Sequence, residues 1–159
     1  MRWSDGGTAE APLRQKPSLG AVRLASTLAR SLDAVVPRPL TVEADGDRVT
    51  AGRGALKGAV ILGPVLDQVV SPDDADAAEW TFPRRVARVA WNVLSGVQDT
   101  VAEETAEPWP RLPDGSMALP GTRTDGERVF LWFGPSDDSE AGAVLMLPPI
   151  LLSDLVDAP

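Results

Sequence analysis

The longest helical pattern of the chain is carried by residues 83–107, PRRVARVAWNVLSGVQDTVAEETAE, and the other elements are predicted on either side of it. Valine and alanine recur there at spacings of three and four residues, which predicts an apolar stripe along a helix. Ala87, Trp91 and Leu94 widen this stripe. We therefore expect the helix to pack against a sheet on one side and another surface on the other, with Thr81 as its N-cap.

A shorter helix and three strands are predicted ahead of this segment. The helix spans residues 18–36, with the Ser18 hydroxyl as its N-cap and prolines beyond its end. Asp45 and Gly46 predict a two-residue hairpin turn, because this pair tolerates the positive φ angles of a type I′ turn. The third strand is a continuous apolar run, which is typical of a central strand or of one covered on both faces. The strands are predicted at residues 40–44, 48–51 and 58–62.

A second hairpin and one further strand are predicted after the long helix. Asp125 and Gly126 predict the hairpin turn. Pro148 and Pro149 are expected to end the last strand, because a proline nitrogen cannot donate to a strand ladder. The strands are predicted at residues 129–133 and 143–147, followed by a helical turn at 151–156.

These elements predict a mixed α+β fold with the order α-β-β-β-α-β-β-β, in which an antiparallel sheet is packed by two main helices. Residues 1–17 combine glycine, proline and mixed charges without periodicity, so we predict a flexible N-terminal tail. The chain of 159 residues is long enough for one domain, which is predicted over residues 18–159.

The residue types absent from the chain argue against catalysis. It has no cysteine, histidine or tyrosine, so it lacks a thiolate nucleophile and the usual base that activates a serine. We therefore predict a protein without enzymatic activity. The alternative is a small enzyme or ligand binder that uses carboxylates and arginine. Its candidate pairs join Asp99 or Glu103 to Arg123 or Arg128.

No cofactor, metal, nucleic acid or membrane is expected as a partner. The glycine-rich residues 52–58 lack the Gly-Lys-Ser/Thr ending of a phosphate loop, and the acidic residues 71–79 lack the ligand spacing of a calcium loop. A net charge of −8 disfavours binding to phosphates. The chain has neither an apolar run of membrane-spanning length nor a signal-peptide core, so a cytoplasmic location is predicted.

Arginines at one end of the long helix and three tryptophans are the candidate binding residues. The arginines form a basic spot on an acidic protein, which either orients an acidic partner segment or is neutralised by the acidic run before the helix. Tryptophan is enriched at interface hot spots, and the alternative for these tryptophans is a place in the core. The candidates are Arg84, Arg85, Arg88, Trp80, Trp91 and Trp109.

The element order, the acidic charge and the size together resemble the type III secretion chaperone-like fold, which includes bacterial secretion chaperones and YbjN-like proteins. The resemblance covers most of residues 18–150. Residues 109–110, 131–134 and 147–150 also look like segments of uncharacterised proteins from high-GC Gram-positive bacteria. The chaperone-like resemblance implies a dimerising, non-catalytic protein that holds an extended peptide along helix and strand surfaces.

The leading hypothesis is a non-catalytic protein-binding module, an adaptor or chaperone-like protein whose partner is another protein or a peptide. It predicts a homodimer or a co-purifying partner, and an exposed apolar patch beside the long helix. The alternative is an acidic inhibitor or immunity-type protein, whose affinity for a basic partner would fall steeply as salt is added.

Overall fold

The computed structural model describes residues 18–52, 57–61 and 81–156 of the chain. Within these ranges the elements follow the predicted order, so the mixed α+β fold is confirmed. They are α1 (Leu19–Asp33), β1 (Thr41–Asp45), β2 (Arg48–Gly52), β3 (Lys57–Ile61), α2 (Phe82–Thr105), β4 (Leu119–Thr124), β5 (Arg128–Gly134), β6 (Leu145–Leu151) and a final 3₁₀ helix (Leu152–Leu155). The tail predicted at residues 1–17 lies outside the described ranges.

Both α-helices begin where a side-chain oxygen satisfies a free backbone N–H group. Ser18 Oγ accepts from the backbone nitrogen of Ala21 at 3.1 Å, and Thr81 Oγ1 accepts from that of Arg84 at 3.4 Å. The two predicted N-caps are thus confirmed. Ala106, with a φ of 57°, ends α2 in the left-handed conformation that is common after the last helical turn.

The six strands of the described ranges form two antiparallel sheets, the first with the order β1-β2-β3 and the second with the order β4-β5-β6. Among the described strands β3 pairs with β2 alone, so a central position for it is not observed there. α2 lies between the sheets, because it contacts β2 and β3 of the first and β4 and β5 of the second. The second surface that the wide apolar stripe of α2 predicts is therefore the second sheet.

The core joins the apolar faces of both helices to the inner faces of the sheets. Burial of each leucine, valine or phenylalanine stabilises the fold by about 1.5–3 kcal/mol relative to an exposed side chain. The fully buried side chains include Leu24, Leu28 and Leu32 of α1, Val86 and Leu94 of α2, and Leu131 and Phe133 of β5. The two helices contribute about half of the core residues, and the strands of both sheets contribute most of the rest.

The first hairpin turns one residue later than the sequence predicts. Asp45 pairs with Arg48, so the turn residues are Gly46 and Asp47. Extending the ladder to Asp45 places opposite charges directly across the two strands, which is favourable. Of the two turn residues only Gly46 has a positive φ, of 62°, whereas a type I′ turn needs one at both positions.

The last strand runs through the two prolines that the sequence expects to end it. The pairing of β5 with β6 is irregular between Val129 and Leu131, so Pro148 and Pro149 together lie opposite Phe130. A bulge in an edge strand accommodates residues without an N–H donor, because no ladder bond is lost there. The predicted end of this strand is therefore wrong.

Candidate functional site

The second sheet has two faces of different character. Successive side chains of a strand alternate between its faces, and Val129, Leu131 and Phe133 of β5 belong to the core. Arg128 and Phe130 therefore lie on the opposite face, and residues paired directly across strands share it. We call this surface the outer face. It comprises Leu119, Gly121, Arg123, Arg128, Phe130, Trp132, Met146 and Leu151.

The outer face exposes several large apolar side chains. Leu119, Met146 and Leu151 are 46%, 51% and 46% exposed. Pro148 and Pro149, which lie opposite Phe130 in the bulge, are exposed as well. Met146 is paired with Trp132, whereas Leu119 and Leu151 are paired with Gly134 and Arg128 at opposite ends of β5, so the exposed apolar side chains are spread along the face. Exposed apolar side chains that share one face of a sheet are a candidate surface for a partner.

Phe130 lies between two arginines at one end of the outer face. The guanidinium carbons of Arg123 and Arg128 are 4.3 Å and 5.0 Å from its ring centroid, which is cation–π geometry. Each guanidinium also pairs with a carboxylate, Arg123 with Glu140 at 2.7 Å and Arg128 with Asp125 at 3.0 Å. The arginines are thereby held in place and largely neutralised, so the stack contributes a flat, oriented surface more than a net charge.

Trp132 is the one large aromatic side chain of the outer face that is fully buried. A Cβ atom at Gly121 would come within 2.4 Å of the indole ring, so the ring lies directly over this glycine. The indole Nε1 donates to the carbonyl oxygen of Ser136 at 2.9 Å. The loop after β5 therefore covers Trp132, and the Arg123–Glu140 ion pair ties the same loop to β4.

The Asp125 carboxylate should make the stability of the β4–β5 hairpin depend on pH. Backbone N–H groups of Glu127 and Arg128 donate to its carboxylate at 2.9 Å and 2.8 Å. With the Arg128 side chain, these bonds lower the pKa of Asp125 from 3.8 to about 2. A carboxylate whose pKa is lower in the folded than in the unfolded state stabilises the fold at pH values above the unfolded pKa. This stabilisation is lost as the pH falls through the folded pKa.

We therefore expect Asp125→Asn to lower the free energy of unfolding at pH 7, with the deficit shrinking between pH 4 and pH 2. The amide keeps the shape of the carboxylate and loses its charge, so the variant isolates the ionised form. Urea unfolding of both proteins at pH 7, 4 and 2 measures the deficit. A deficit that is the same at all three pH values would contradict the assignment.

The three arginines predicted as a basic spot do not form one surface. Arg84 and Arg88 are exposed on α2, whereas Arg85 is only 8% exposed and lies 5.8 Å from the Phe82 ring. Arg88 lies over the ring of Trp91 at 5.5 Å. The exposed part of the predicted spot is therefore limited to Arg84 and Arg88.

The predicted tryptophans that the structure describes are both half-buried. Trp91 donates from Nε1 to the carbonyl oxygen of Pro120 at 3.1 Å, which fixes α2 against β4. Trp109 packs on the core, with its ring centroid 5.5 Å from that of Phe133. Trp80 lies outside the described residues. Trp91 and Trp109 thus have structural contacts, and whether they also bind a partner stays a prediction.

The carboxylate–arginine pairs of the enzyme alternative are not formed. Arg123 and Arg128 pair with acidic residues of their own sheet and loop, and Asp99 and Glu103 are exposed on α2 without an ion pair to any described residue. The described part of the chain holds no group of acidic residues that could bind a metal ion. No helix in that part is long and apolar enough to cross a membrane.

The outer face contains binding candidates that the sequence alone did not single out. Residues 128–134, RVFLWFG, are almost continuously apolar, so their alternation between two faces is not visible without the strand register. Phe130 is the one aromatic residue there that falls between two arginines in space. The sequence places Arg128 near it, but Arg123 reaches it only through strand pairing.

No family model matches the chain, and neither a curated protein nor a solved structure does so. The resemblance to type III secretion chaperone-like proteins therefore stays a prediction.

Proposed function

We propose that the protein is a non-catalytic protein-binding module, an adaptor or chaperone-like protein, which binds an apolar segment of another protein on the outer face of the second sheet. The observation that supports this most directly is the exposure of Leu119, Met146 and Leu151 on one face. Covering these side chains would remove apolar area from water, which contributes about 25 cal/mol for each Å² buried.

The charges of the outer face favour an apolar partner segment over a highly charged one. Arg123 and Arg128 are already paired with Glu140 and Asp125, so a partner would gain little from adding a further charge. The guanidinium groups stacked on Phe130 offer instead a flat contact beside the exposed prolines. Affinity that changes little between 50 mM and 500 mM salt would distinguish this mode from the acidic inhibitor, whose binding is steered by charge.

We expect Met146→Asp combined with Leu151→Asp to lower the affinity for a captured partner by about a hundredfold, because both side chains would carry charge into an apolar contact. Partners are captured from lysate with the wild-type chain, identified by mass spectrometry and then titrated in purified form. Leu19→Asp combined with Val156→Asp is the matched control, since these side chains are 48% and 50% exposed but lie outside β4, β5 and β6. Equal loss of affinity in the control would contradict the assignment of the surface.

Oxidative footprinting of the complex tests the same surface without a mutation. Met146 is 51% exposed on the outer face, whereas Met117 is 39% exposed outside the strands of the sheet. A partner on the outer face should protect Met146 from oxidation, and it should protect Met117 in addition only if it extends past Leu119 at that end of the face. Protection of Met117 alone would place the partner elsewhere.

A further inference from the structure

The exposed side of α2 is narrow and charged. Of the 24 residues of this helix, four are exposed, namely Arg84, Arg88, Asp99 and Glu103. At 3.6 residues per turn they fall within an arc of about 100°, so they form one stripe along the helix. We call these four residues the α2 stripe.

The charges of the α2 stripe oppose the helix dipole. The arginines are near the N-terminus and the acidic residues near the C-terminus, and α2 has no acidic residue in its first turn and no basic residue in its last. Each exposed charge placed this way costs about 0.3–1 kcal/mol. Stability of the isolated helix therefore does not account for the arrangement.

The stripe is symmetric about the middle of the helix. Arg84 lies as many residues before the midpoint of Val93 and Leu94 as Glu103 lies after it, and the same is true of Arg88 and Asp99. A second α2, antiparallel to the first and related to it by a twofold axis at this midpoint, would therefore bring all four charged residues opposite residues of the other sign.

The middle of the stripe has no charge that would oppose such an approach. Asn92 and Ser95 are half-buried and symmetric about the same midpoint, so they would face each other's copies across the axis. Gly96 follows without a side chain. Arg88 and Asp99 are about 16 Å apart along the helix at 1.5 Å per residue, so the two inner ion pairs would flank this neutral centre.

We propose that the α2 stripe is a self-complementary surface through which two copies of the chain associate, antiparallel and with twofold symmetry. A twofold interface uses the same patch on both subunits, which the mirrored charges satisfy. The acidic segment that Arg84 and Arg88 orient is then the C-terminal half of α2 in the second copy. The outer face is a separate surface of β4, β5 and β6, so partner binding and self-association are independent.

The contact is small and depends on exposed charge. A single pair of helices buries less surface than a standard interface, and exposed ion pairs are screened by salt. The dimer is consequently weak, forms at high protein concentration and dissociates as salt is raised. Sedimentation velocity at 20 mM and 500 mM salt, over a concentration series, measures both properties.

Charge reversal tests the pairing. Arg84→Glu/Arg88→Glu makes the stripe wholly acidic and Asp99→Arg/Glu103→Arg makes it wholly basic, so we expect each variant alone to dimerise at least about tenfold more weakly than wild type. Mixed together, the two variants should form a heterodimer. The quadruple variant restores opposite charges across the axis and should dimerise like wild type.

The controls separate this pairing from folding and from general charge effects. Arg84 also has an interaction within its own chain, so Asp99→Arg/Glu103→Arg, which leaves Arg84 in place, is the key variant. Arg30→Glu, at an exposed position of α1, changes the net charge in the same direction as the arginine reversal, away from the stripe, and should leave the dimer intact. A wild-type chain that stays monomeric at 1 mM and 20 mM salt overturns the proposal. Two reversed variants that do not associate with each other overturn it as well.

Discussion

Gly121→Val is expected to destabilise the protein by about 3 kcal/mol, because the new side chain would overlap the indole of Trp132. A Cβ atom at this position would lie 2.3 Å from ring carbon Cε2 and 2.4 Å from Nε1, far closer than packed atoms allow. The ring cannot move away easily, since it is fully buried and its Nε1 is hydrogen-bonded to Ser136. Urea unfolding followed by tryptophan fluorescence measures the loss.

Gly46→Ala is the control for removing a glycine as such. A Cβ atom at Gly46 would meet nothing within 4 Å, although its φ of 62° carries a strain of about 1 kcal/mol for alanine. The two variants therefore separate steric overlap from backbone strain. Equal losses of stability in both would show that Trp132 is free to move and that the loop over it is not a fixed cover.

The positions of the helices follow from the sequence because their signals are local. The N-caps Ser18 and Thr81 each precede a long apolar periodicity, and the structure begins both helices directly after these residues. The width of the apolar stripe on α2 also predicts two packing surfaces, and the helix does contact both sheets. Such features depend only on residues within a few turns of each other.

The distribution of the strands between sheets could not be predicted in the same way. Two Asp-Gly turns predict two hairpins, but no local pattern tells whether those hairpins join into one sheet or form two. The answer depends on α2, which lies between them and contacts both. The end of β6 was mispredicted for a related reason, since Pro148 and Pro149 are tolerated only because a bulge at an edge needs no donor from them.

The two candidate surfaces also differ in whether the local sequence reveals them. Arg84 and Arg88 could be singled out from the sequence because a reversed charge pattern along a helix is visible in the helix itself. The outer face could not, since Arg123, Phe130 and Met146 are brought together by the register of three strands. The exposed residues of α2 itself are charged, and the exposed apolar side chains lie on the face of the second sheet that is turned away from α2, so the apolar patch predicted beside the long helix is not observed among the described residues.

Leu94→Ala is expected to lower the free energy of unfolding by about 3 kcal/mol, which for a chain of this length lowers the melting temperature by about 10 °C. Leu94 is fully buried on α2, the helix that contacts both sheets, so the cavity would weaken the packing that holds the sheets together.

Leu119→Ala is the matched control, because the same substitution at a leucine that is 46% exposed should cost less than about 0.5 kcal/mol. The order of the two effects should be reversed for partner binding. Leu119→Ala removes a side chain of the outer face and weakens binding directly, whereas Leu94→Ala affects binding only through unfolding. Calorimetric melting curves that show the same loss for both would mean that α2 does not form the common core of the two sheets.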